Sequence, residues 1–307
     1  MRIVFMGSAD FGLNTLEALQ ESPHRVVGVV TTPPRCKGRG RLLKSSPVGE
    51  YCEENSIEPV LIPENLEDPG FIKELSSFEA DIFVVAAYRI LPSCVFNIPE
   101  KGTFNLHASL LPAYRGPAPI HRAIQAGESE TGITIFRIDS GIDTGDIVSK
   151  RKTEIGPFET TPEVYTRLSI LGALEVVRVC SMIEQGKVEY SNQEDSGASR
   201  APKLRKEEGL INWESTAEEI FNKIRAFKPF PGTWSFLRGK RICIDWAVPS
   251  DAQGSPGEVL STEKKGVIVG CREGSLELLR VKPEGKRCME AADFLNGFQI
   301  KPGERFE

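Results

Sequence analysis

Short apolar runs alternate with helical segments through the first 188 residues, and this alternation constrains the fold more than any other feature of the sequence. The run DIFVVAA at residues 81–87 is apolar throughout, which is typical of a strand buried on both faces of a parallel sheet. Strands joined through helices favour right-handed crossovers and a doubly wound, mostly parallel, Rossmann-like α/β sheet. Strands are predicted at residues 2–6, 25–31, 59–62, 81–87, 102–107, 132–138 and 146–155, and helices at 11–19, 47–54, 119–126 and 162–184.

A different pattern follows a polar, irregular stretch that we interpret as a linker at residues 189–207. A helix is predicted at residues 216–227, and about five short strands separated by Gly-rich turns come after it. This pattern predicts a small antiparallel, OB-like β-barrel, a fold type that often holds oligonucleotides. We therefore predict an N-terminal domain at residues 1–188 and a C-terminal domain at residues 208–307.

Charge and cysteine usage argue against several classes of protein. The net charge of −5 opposes non-specific adhesion to nucleic acid or anionic membranes, and no apolar run approaches the ~20 residues of a membrane span. The N-terminal sequence MRIVFMGSADFG lacks the order of a signal peptide, so a cytoplasmic location is expected. The seven cysteines are scattered without a CxxC pair, so neither a disulfide framework nor a metal site is predicted.

One basic segment departs from the acidic average of the chain. RCKGRGRLLK at residues 35–44 holds five cations and no acidic residue, so it could meet several phosphates. Arg39 stands between two glycines, which would let it approach a nucleic-acid groove closely. A solvated surface loop without a ligand is the alternative interpretation of this segment.

Asn105 and His107 end a predicted strand at the edge where doubly wound sheets bind their ligands. Because they are two residues apart, their side chains leave the same face of the strand and can converge on one small group. The segment DSGIDTGDI at residues 139–147 adds Asp143 between two glycines that permit a tight turn. The carboxylate of Asp143 could then enter the same crevice.

An amide, an imidazole and a carboxylate, without an activated Ser or Cys, suit acyl transfer to an amine by direct attack. Asn105 would donate to the developing oxyanion, and His107 would move protons between the attacking and the leaving nitrogen. Asp143 would hold and polarise the imidazole. The alternative is a strand-end histidine that only satisfies a backbone carbonyl.

The pair Asn105 and His107 is followed by SLLPAYRG at residues 109–116, and together with GIDTGD around Asp143 this pattern resembles the folate-dependent formyltransferases. The resemblance implies that Asn105, His107 and Asp143 are the catalytic residues. It also implies 10-formyltetrahydrofolate as the formyl donor, with no metal. The folate site would be lined by Ser109, Leu110, Leu111 and Pro112.

Within that group, three features resemble the methionyl-tRNA formyltransferases. GRGRLLKSSPV from residue 38 is similar to the basic loop that these enzymes insert after their second strand, and IRAFKPFPGTW at residues 224–234 is similar to the start of their C-terminal domain. The third feature is the presence of the small β domain itself. The resemblance implies methionyl initiator tRNA as the acceptor, and a monomeric protein is expected. The tRNA contacts would come from Lys37, Arg39, Arg41 and Lys44.

One departure and two alternatives qualify this hypothesis. AYRILP at residues 87–92 is a residue shorter than the corresponding segment of many relatives and carries Arg89, so no pterin contacts are assigned there. A formyltransferase acting on a sugar nucleotide or another small amine would keep the three catalytic residues but would have no use for the basic loop. A catalytically silent RNA-binding module would not need those three residues.

Overall fold

The computed structural model describes residues 1–37, 42–262 and 266–307 of the chain. These residues form two compact units, each built from more than one stretch of chain. The predicted domain limits at residues 188 and 208 stay a prediction. The first unit comprises Met1–Pro119, Glu130–Glu154 and Tyr165–Ala201, and the second comprises Ile120–Ser129, Ile155–Val164 and Pro202–Glu307.

The first unit is built on a mostly parallel sheet, which confirms the predicted fold class. Its described strands are β1 (Arg2–Gly7), β2 (Arg25–Val30), β3 (Arg35–Lys37), β4 (Leu42–Lys44), β5 (Val60–Leu61), β6 (Ile82–Ala86), β7 (Thr103–His107), β8 (Glu130–Arg137) and β9 (Ile147–Glu154). Seven of them form one sheet in the order β5-β2-β1-β6-β7-β8-β9, and β3 and β4 pair as a separate hairpin. Pairing is parallel from β5 to β7 and antiparallel from β7 to β9.

Helices cover both faces of this sheet, as a doubly wound fold requires. On one face Phe83 of the sheet packs in a cluster with Leu75. On the other face Leu106 lies with Val176 around a small apolar cavity. The described helices up to residue 184 are α1 (Leu13–Glu21), α2 (Pro47–Glu54), α3 (Pro69–Ser76), α4 (Ser93–Phe96), α5 (Pro119–Gln125) and α6 (Thr161–Glu184). None of the helices in the described part of the chain combines the length and the apolar character that a membrane crossing needs.

The local sequence explains where the helices begin. The hydroxyl of Ser46 accepts a hydrogen bond from the N–H of Gly49, and Pro47 takes the first helical position of α2. Asp68 caps α3 in the same way, with the N–H of Phe71 as donor. Sequence analysis missed α3 although this Asp-Pro start was present, and it also missed α4 and the β3–β4 hairpin.

The second unit is built on an antiparallel sheet around one apolar core. Its described helices and strands are α7 (Ala217–Ala226), β10 (Thr233–Leu237), β11 (Lys240–Ser250), β12 (Val259–Ser261), β13 (Val267–Gly270), β14 (Ser275–Pro283), β15 (Met289–Glu290) and α8 (Ala291–Phe298). The strand order is β10-β11-β14-β13-β12, with β15 added to β14. Two bridges, Leu237 with Phe306 and Glu258 with Arg305, let the final residues link the two edges of the sheet. The sheet therefore curls into a small barrel, as predicted.

Candidate active site

Asn105 and His107 lie in the interior of the large sheet, at the carboxyl end of β7. Asn105 pairs with Val85 on β6 and with Phe136 on β8. Its side chain is half-buried and that of His107 is nearly buried, with 6% of the residue exposed. Since alternate residues of a strand face the same side, the amide and the imidazole share one face of β7.

The imidazole of His107 has a protein group on each side. Its Nε2 atom lies 2.9 Å from the backbone oxygen of Tyr114, and its Nδ1 atom lies 3.7 Å from the Oδ2 atom of Asp143. A carbonyl oxygen can only accept a hydrogen bond, so Nε2 carries a hydrogen and the neutral ring has its lone pair on Nδ1. The nitrogen that can gain or lose a proton is therefore the one that faces the carboxylate.

Asp143 belongs to the turn between β8 and β9, and this turn folds back along the sheet. Because β8 is antiparallel to β7, the N–H of Ile138 donates to the oxygen of Thr103, at the amino end of β7. His107 is at the opposite end of the same strand. The turn must therefore return along β7 to bring the carboxylate of Asp143 beside the imidazole.

Steric contacts inside the turn explain its two glycines. A Cβ atom at Gly145 would lie 1.7 Å from the backbone oxygen of Arg137, and one at Gly141 would lie 2.0 Å from the hydroxyl of Thr144. The left-handed conformation falls on Asp143 itself, with φ of +55°. Asp tolerates this conformation better than most non-glycine residues, and contacts around the turn hold it here.

One such contact comes from the loop after β7. The N–H of Gly116 donates to the Oδ2 atom of Asp143 at 2.8 Å, and this is the oxygen nearest to His107. The loop that supplies the N–H is the SLLPAYRG segment, which also supplies the carbonyl of Tyr114 to the imidazole. A single loop therefore orients both members of the His107–Asp143 pair.

The four residues predicted to line a folate site serve two different purposes. The hydroxyl of Ser109 donates to the oxygen of Ala113 at 2.6 Å, and Leu111 is fully buried. Both therefore shape the loop itself. Leu110 and Pro112 are only half-buried and retain surface that a ligand could contact. Their assignment to folate binding stays a prediction.

Residues 191–201, which we call the crossing segment, contact both parts of the site although they fall within the predicted linker. The hydroxyl of Ser199 accepts from the N–H of Tyr114 at 2.8 Å. The amide of Gln193 donates to the backbone oxygen of Asp143 at 2.9 Å. Sequence analysis missed these residues because a short polar segment has no periodic pattern, and its sequence does not indicate which groups it contacts.

The other two histidines are not equivalent to His107. Burial lowers the pKa of His121 to about 4. Burial, aided by the N-terminal charge, also lowers the pKa of His24. Both are therefore neutral at pH 7. Within the described ranges no group of three or more His, Cys, Asp or Glu residues is placed to hold a metal ion.

A cleft of about 230 Å³ beside the β3–β4 hairpin has a cationic lining. Arg35, Lys44 and Arg89 contribute to it together with several hydroxyl side chains, and none of the described lining residues is acidic. The guanidinium of Arg89 donates to the backbone oxygens of Pro63 and Glu64 and to the hydroxyl of Tyr88, all of which are neutral groups. A cleft of this kind attracts anionic groups such as phosphates.

The predicted tRNA-binding residues are only partly covered by the structure. Arg39 and Arg41 lie outside the described residues, and the same holds for the side chain of Lys37. Lys44 is exposed on β4, opposite Arg35 on β3. Where the structure describes this basic segment, Arg35–Lys37 and Leu42–Lys44 pair as antiparallel strands, and the predicted loop between them lies outside the described residues.

The class of protein follows from two family models that match successive parts of the chain. The model described as "Formyl transferase" matches residues 1–179, which hold β1–β9 and the candidate site. The model described as "Formyl transferase, C-terminal domain" matches residues 203–299. The chain thus belongs to the formyl transferase family.

Comparison with curated proteins narrows this class. The chain is 40% identical over 306 residues to a methionyl-tRNA formyltransferase of Geobacter sulfurreducens, covering 99% of this chain and 96% of the relative. It is 41% identical over 306 residues to a methionyl-tRNA formyltransferase of Cereibacter sphaeroides, covering 99% of each chain. The chain therefore belongs to the methionyl-tRNA formyltransferase family.

Solved structures agree on the fold. A sugar 3N-formyl transferase, WlaRD, solved in the presence of dTDP and 5-N-formyl-THF, matches with a TM-score of 0.69 at 19% identity, over 94% of this chain and 99% of that one. HypX from Aquifex aeolicus in complex with tetrahydrofolic acid matches with a TM-score of 0.62 at 21% identity. That match covers 98% of this chain and about half, 48%, of HypX.

Proposed function

We propose that the protein transfers the formyl group of 10-formyltetrahydrofolate to the α-amino group of methionyl initiator tRNA. The observation that carries this proposal is the pairing of His107 with Asp143. His107 lies on β7, and the same strand carries Asn105. The chain with this pair aligns over 99% of its length with a methionyl-tRNA formyltransferase. We place the reaction in the cytoplasm, and a single chain suffices because it supplies all three side chains.

The chemistry asks little of the protein beyond orientation and proton movement. An α-amino group has a pKa of about 7.7–8.0, so part of it is neutral at physiological pH and can attack directly. Asn105 would donate to the formyl oxygen as negative charge develops there. His107 would accept the proton that the attacking amine loses, and Asp143 would stabilise the resulting imidazolium. The bond from the formyl carbon to the donor nitrogen breaks, and that nitrogen takes up a proton to leave tetrahydrofolate.

Exposed apolar side chains in the loops that follow β6, β7 and β8 suit a flat folate ring system. Ile142, next to Asp143, is 58% exposed, and Ile90, in the loop after β6, is 76% exposed. Leu110 and Pro112 add partly exposed surface in the loop after β7. Large aliphatic side chains in contact with water favour a ligand that buries them.

The cationic cleft supports an RNA acceptor. In a protein of net charge −5, a cleft lined by Arg35, Lys44 and Arg89, with no acidic residue in its described lining, is a local exception. Backbone phosphates near the 3′ end of a tRNA would compensate these charges and orient the acceptor. We propose that Lys37, Arg39 and Arg41, which precede Lys44 along the chain, extend this contact.

A formyltransferase acting on a sugar amine is the second candidate, because WlaRD shares the fold. At 19% identity this likeness concerns the fold alone, whereas the relatives at 40% identity carry the tRNA name. The diphosphate of a nucleotide-linked sugar could also bind in a cationic cleft, so the choice of acceptor rests on those relatives and not on the cleft. The sugar amine therefore serves as the comparison substrate in the test.

The test is a formylation assay with purified protein and 10-formyltetrahydrofolate. Methionyl initiator tRNA, methionyl elongator tRNA and a nucleotide-linked amino sugar are supplied in parallel. We expect formylation of the initiator tRNA only. Activity confined to the amino sugar would overturn the acceptor, and binding of tRNA without any formyl transfer would favour the silent RNA-binding module.

A further inference from the structure

The carboxamide of Gln193 uses its full hydrogen-bonding capacity between the two parts of the candidate site. Its Nε2 atom donates to the backbone oxygens of Asp143 at 2.9 Å and Gly145 at 2.8 Å. Its Oε1 atom accepts from Nε of Arg115 at 3.1 Å and from Nη2 of the same guanidinium at 2.9 Å. Two donors and two lone pairs are all that a primary amide offers.

The partners also fix the orientation of this amide. Backbone oxygens can only accept and a guanidinium can only donate, so exchanging the nitrogen and oxygen of Gln193 would break all four hydrogen bonds. Gln193 is half-buried within a segment whose neighbours Asn192 and Glu194 are exposed. This burial and this single orientation distinguish Gln193 from the polar residues around it.

The two carbonyls that Gln193 holds belong to the turn that carries the carboxylate. Asp143 has a left-handed backbone, a conformation that is uncommon outside glycine although Asp is among the residues that tolerate it. The two hydrogen bonds from Gln193 hold the backbone of this turn at Asp143 and at Gly145, so they oppose a change of its conformation. The same turn must keep the carboxylate 3.7 Å from the imidazole of His107.

Arg115 connects this support to the other half of the site. Its guanidinium is bound by Gln193 and by the exposed carboxylate of Asp195 at 3.0 Å. The next residue, Gly116, donates its N–H to the carboxylate of Asp143. Gln193 therefore joins the main chain of the turn to the loop that holds the carboxylate.

We propose that Gln193 is a positioning residue for formyl transfer, fixing the turn that presents Asp143 to His107 without itself contacting substrate. This inference rests on the proposed function, in which Asp143 acts through His107. It goes beyond that proposal because Gln193 lies in a segment that the sequence predicts to be a linker. A displacement of about 1 Å in a catalytic group can cost about 100-fold in rate, so the effect is large enough to measure.

The decisive variant is Gln193→Glu, which keeps an acceptor for Arg115 but loses both donors to the turn. We expect kcat for methionyl-tRNA formylation to fall by about 10-fold to 100-fold, with the KM for both substrates changed less than twofold. Gln193→Ala should lower kcat at least as much. Asn192→Ala, which removes the exposed amide next along the chain, serves as the matched control and should behave as wild type. A wild-type kcat in Gln193→Glu would overturn the proposal.

A double-mutant cycle separates positioning from general damage. If Gln193 acts only through Asp143, then Asp143→Asn combined with Gln193→Glu should be no slower than Asp143→Asn alone. Independent, multiplicative losses in the cycle would contradict the proposal.

A readout without catalysis keeps the two proposals distinguishable. Hydrogen exchange of the Gly116 amide, which donates to Asp143, should accelerate in Gln193→Glu and not in Asn192→Ala. An unchanged exchange rate of the Gly116 amide in Gln193→Glu would overturn the positioning role, even if the wild-type protein formylates tRNA as proposed. Failure of the wild-type protein to formylate tRNA, with faster exchange in the variant, would instead refute the proposed function alone.

Discussion

The Nδ1 atom of His107 lies 3.7 Å from the Oδ2 atom of Asp143, although the two residues come from separate segments of the chain. The separation exceeds that of a hydrogen bond but places opposite charges next to each other once the imidazole is protonated. Nε2 is committed to the carbonyl of Tyr114, so only Nδ1 can exchange a proton. In the proposed mechanism, a carboxylate at this position would stabilise the protonated ring when the attacking amine releases its proton.

Removal of either β7 side chain should abolish turnover and spare RNA binding. His107→Ala deletes the proton acceptor, and Asn105→Ala deletes the donor to the developing oxyanion. Loss of one such donor typically lowers kcat about 100-fold to 1,000-fold. Single-turnover formylation measures the first effect and equilibrium tRNA binding the second. Near-normal rates in both variants would refute this map of the site.

Cations around the cleft should control the use of tRNA. Arg35→Ala, Arg39→Ala and Lys44→Ala should each weaken tRNA binding, leave folate binding unchanged and lessen the slope of log affinity against log salt by about 1. Lys187→Ala is the control. Lys187 follows α6, whose Glu184 pairs with Met1 at the amino end of β1, whereas the cleft lies beyond the carboxyl ends of β1 and β2. A salt-independent affinity of the wild-type protein would exclude phosphate contacts as the main source of binding.

Gly145→Ala should impair catalysis through geometry alone. Its new methyl group would lie 1.7 Å from the backbone oxygen of Arg137, so the turn that carries Asp143 must shift. We expect kcat to fall at least about tenfold, with some loss of stability. Gly297→Ala on α8 is the contrasting variant, since nothing lies within 4 Å of its added methyl group. It should gain about 0.5–1 kcal/mol in the free energy of unfolding and keep the wild-type kcat.

Glu175 of α6 should contribute stability that disappears in acid. Burial raises its pKa, but hydrogen bonds from Arg178, Ser149 and Arg151 outweigh that effect and hold the pKa below its usual value. Such a group stabilises the fold above the usual glutamate value of 4.5 and loses this contribution as the pH falls through its folded-state pKa. Glu175→Gln should therefore cost about 2 kcal/mol at pH 7, and progressively less as the pH falls below 4.5, in urea unfolding. Glu189→Gln, at an exposed position, should change neither value.

Elements with a periodic pattern could be predicted from the sequence. The buried runs that became β1, β2 and β6 carry a signal in every residue, and the helix at residues 47–54 was placed correctly from its Pro start. The same holds for Asn105 and His107, whose spacing on β7 decides that they share a face. In each case the structure depends on which side chains of the segment are buried, and the pattern of apolar residues within that segment indicates this.

Features that depend on distant polar partners could not be predicted. The left-handed backbone of Asp143 has no mark in the sequence, which showed only that two nearby glycines permit a tight turn. The role of the crossing segment depends on hydrogen bonds between Gln193 and backbone oxygens 48 and 50 residues away. Main-chain acceptors are the same at every position, so the sequence cannot identify which one a side chain will bind.

The crossing segment has a consequence for how an isolated catalytic fragment would behave. A fragment ending at residue 188 would retain every strand of the large sheet together with Asn105, His107 and Asp143, yet it would lack Gln193 and Ser199. Under the proposed mechanism, a fragment with a complete sheet would therefore still lack part of the support of its reactive centre, because that support comes from residues that belong to no strand of the sheet.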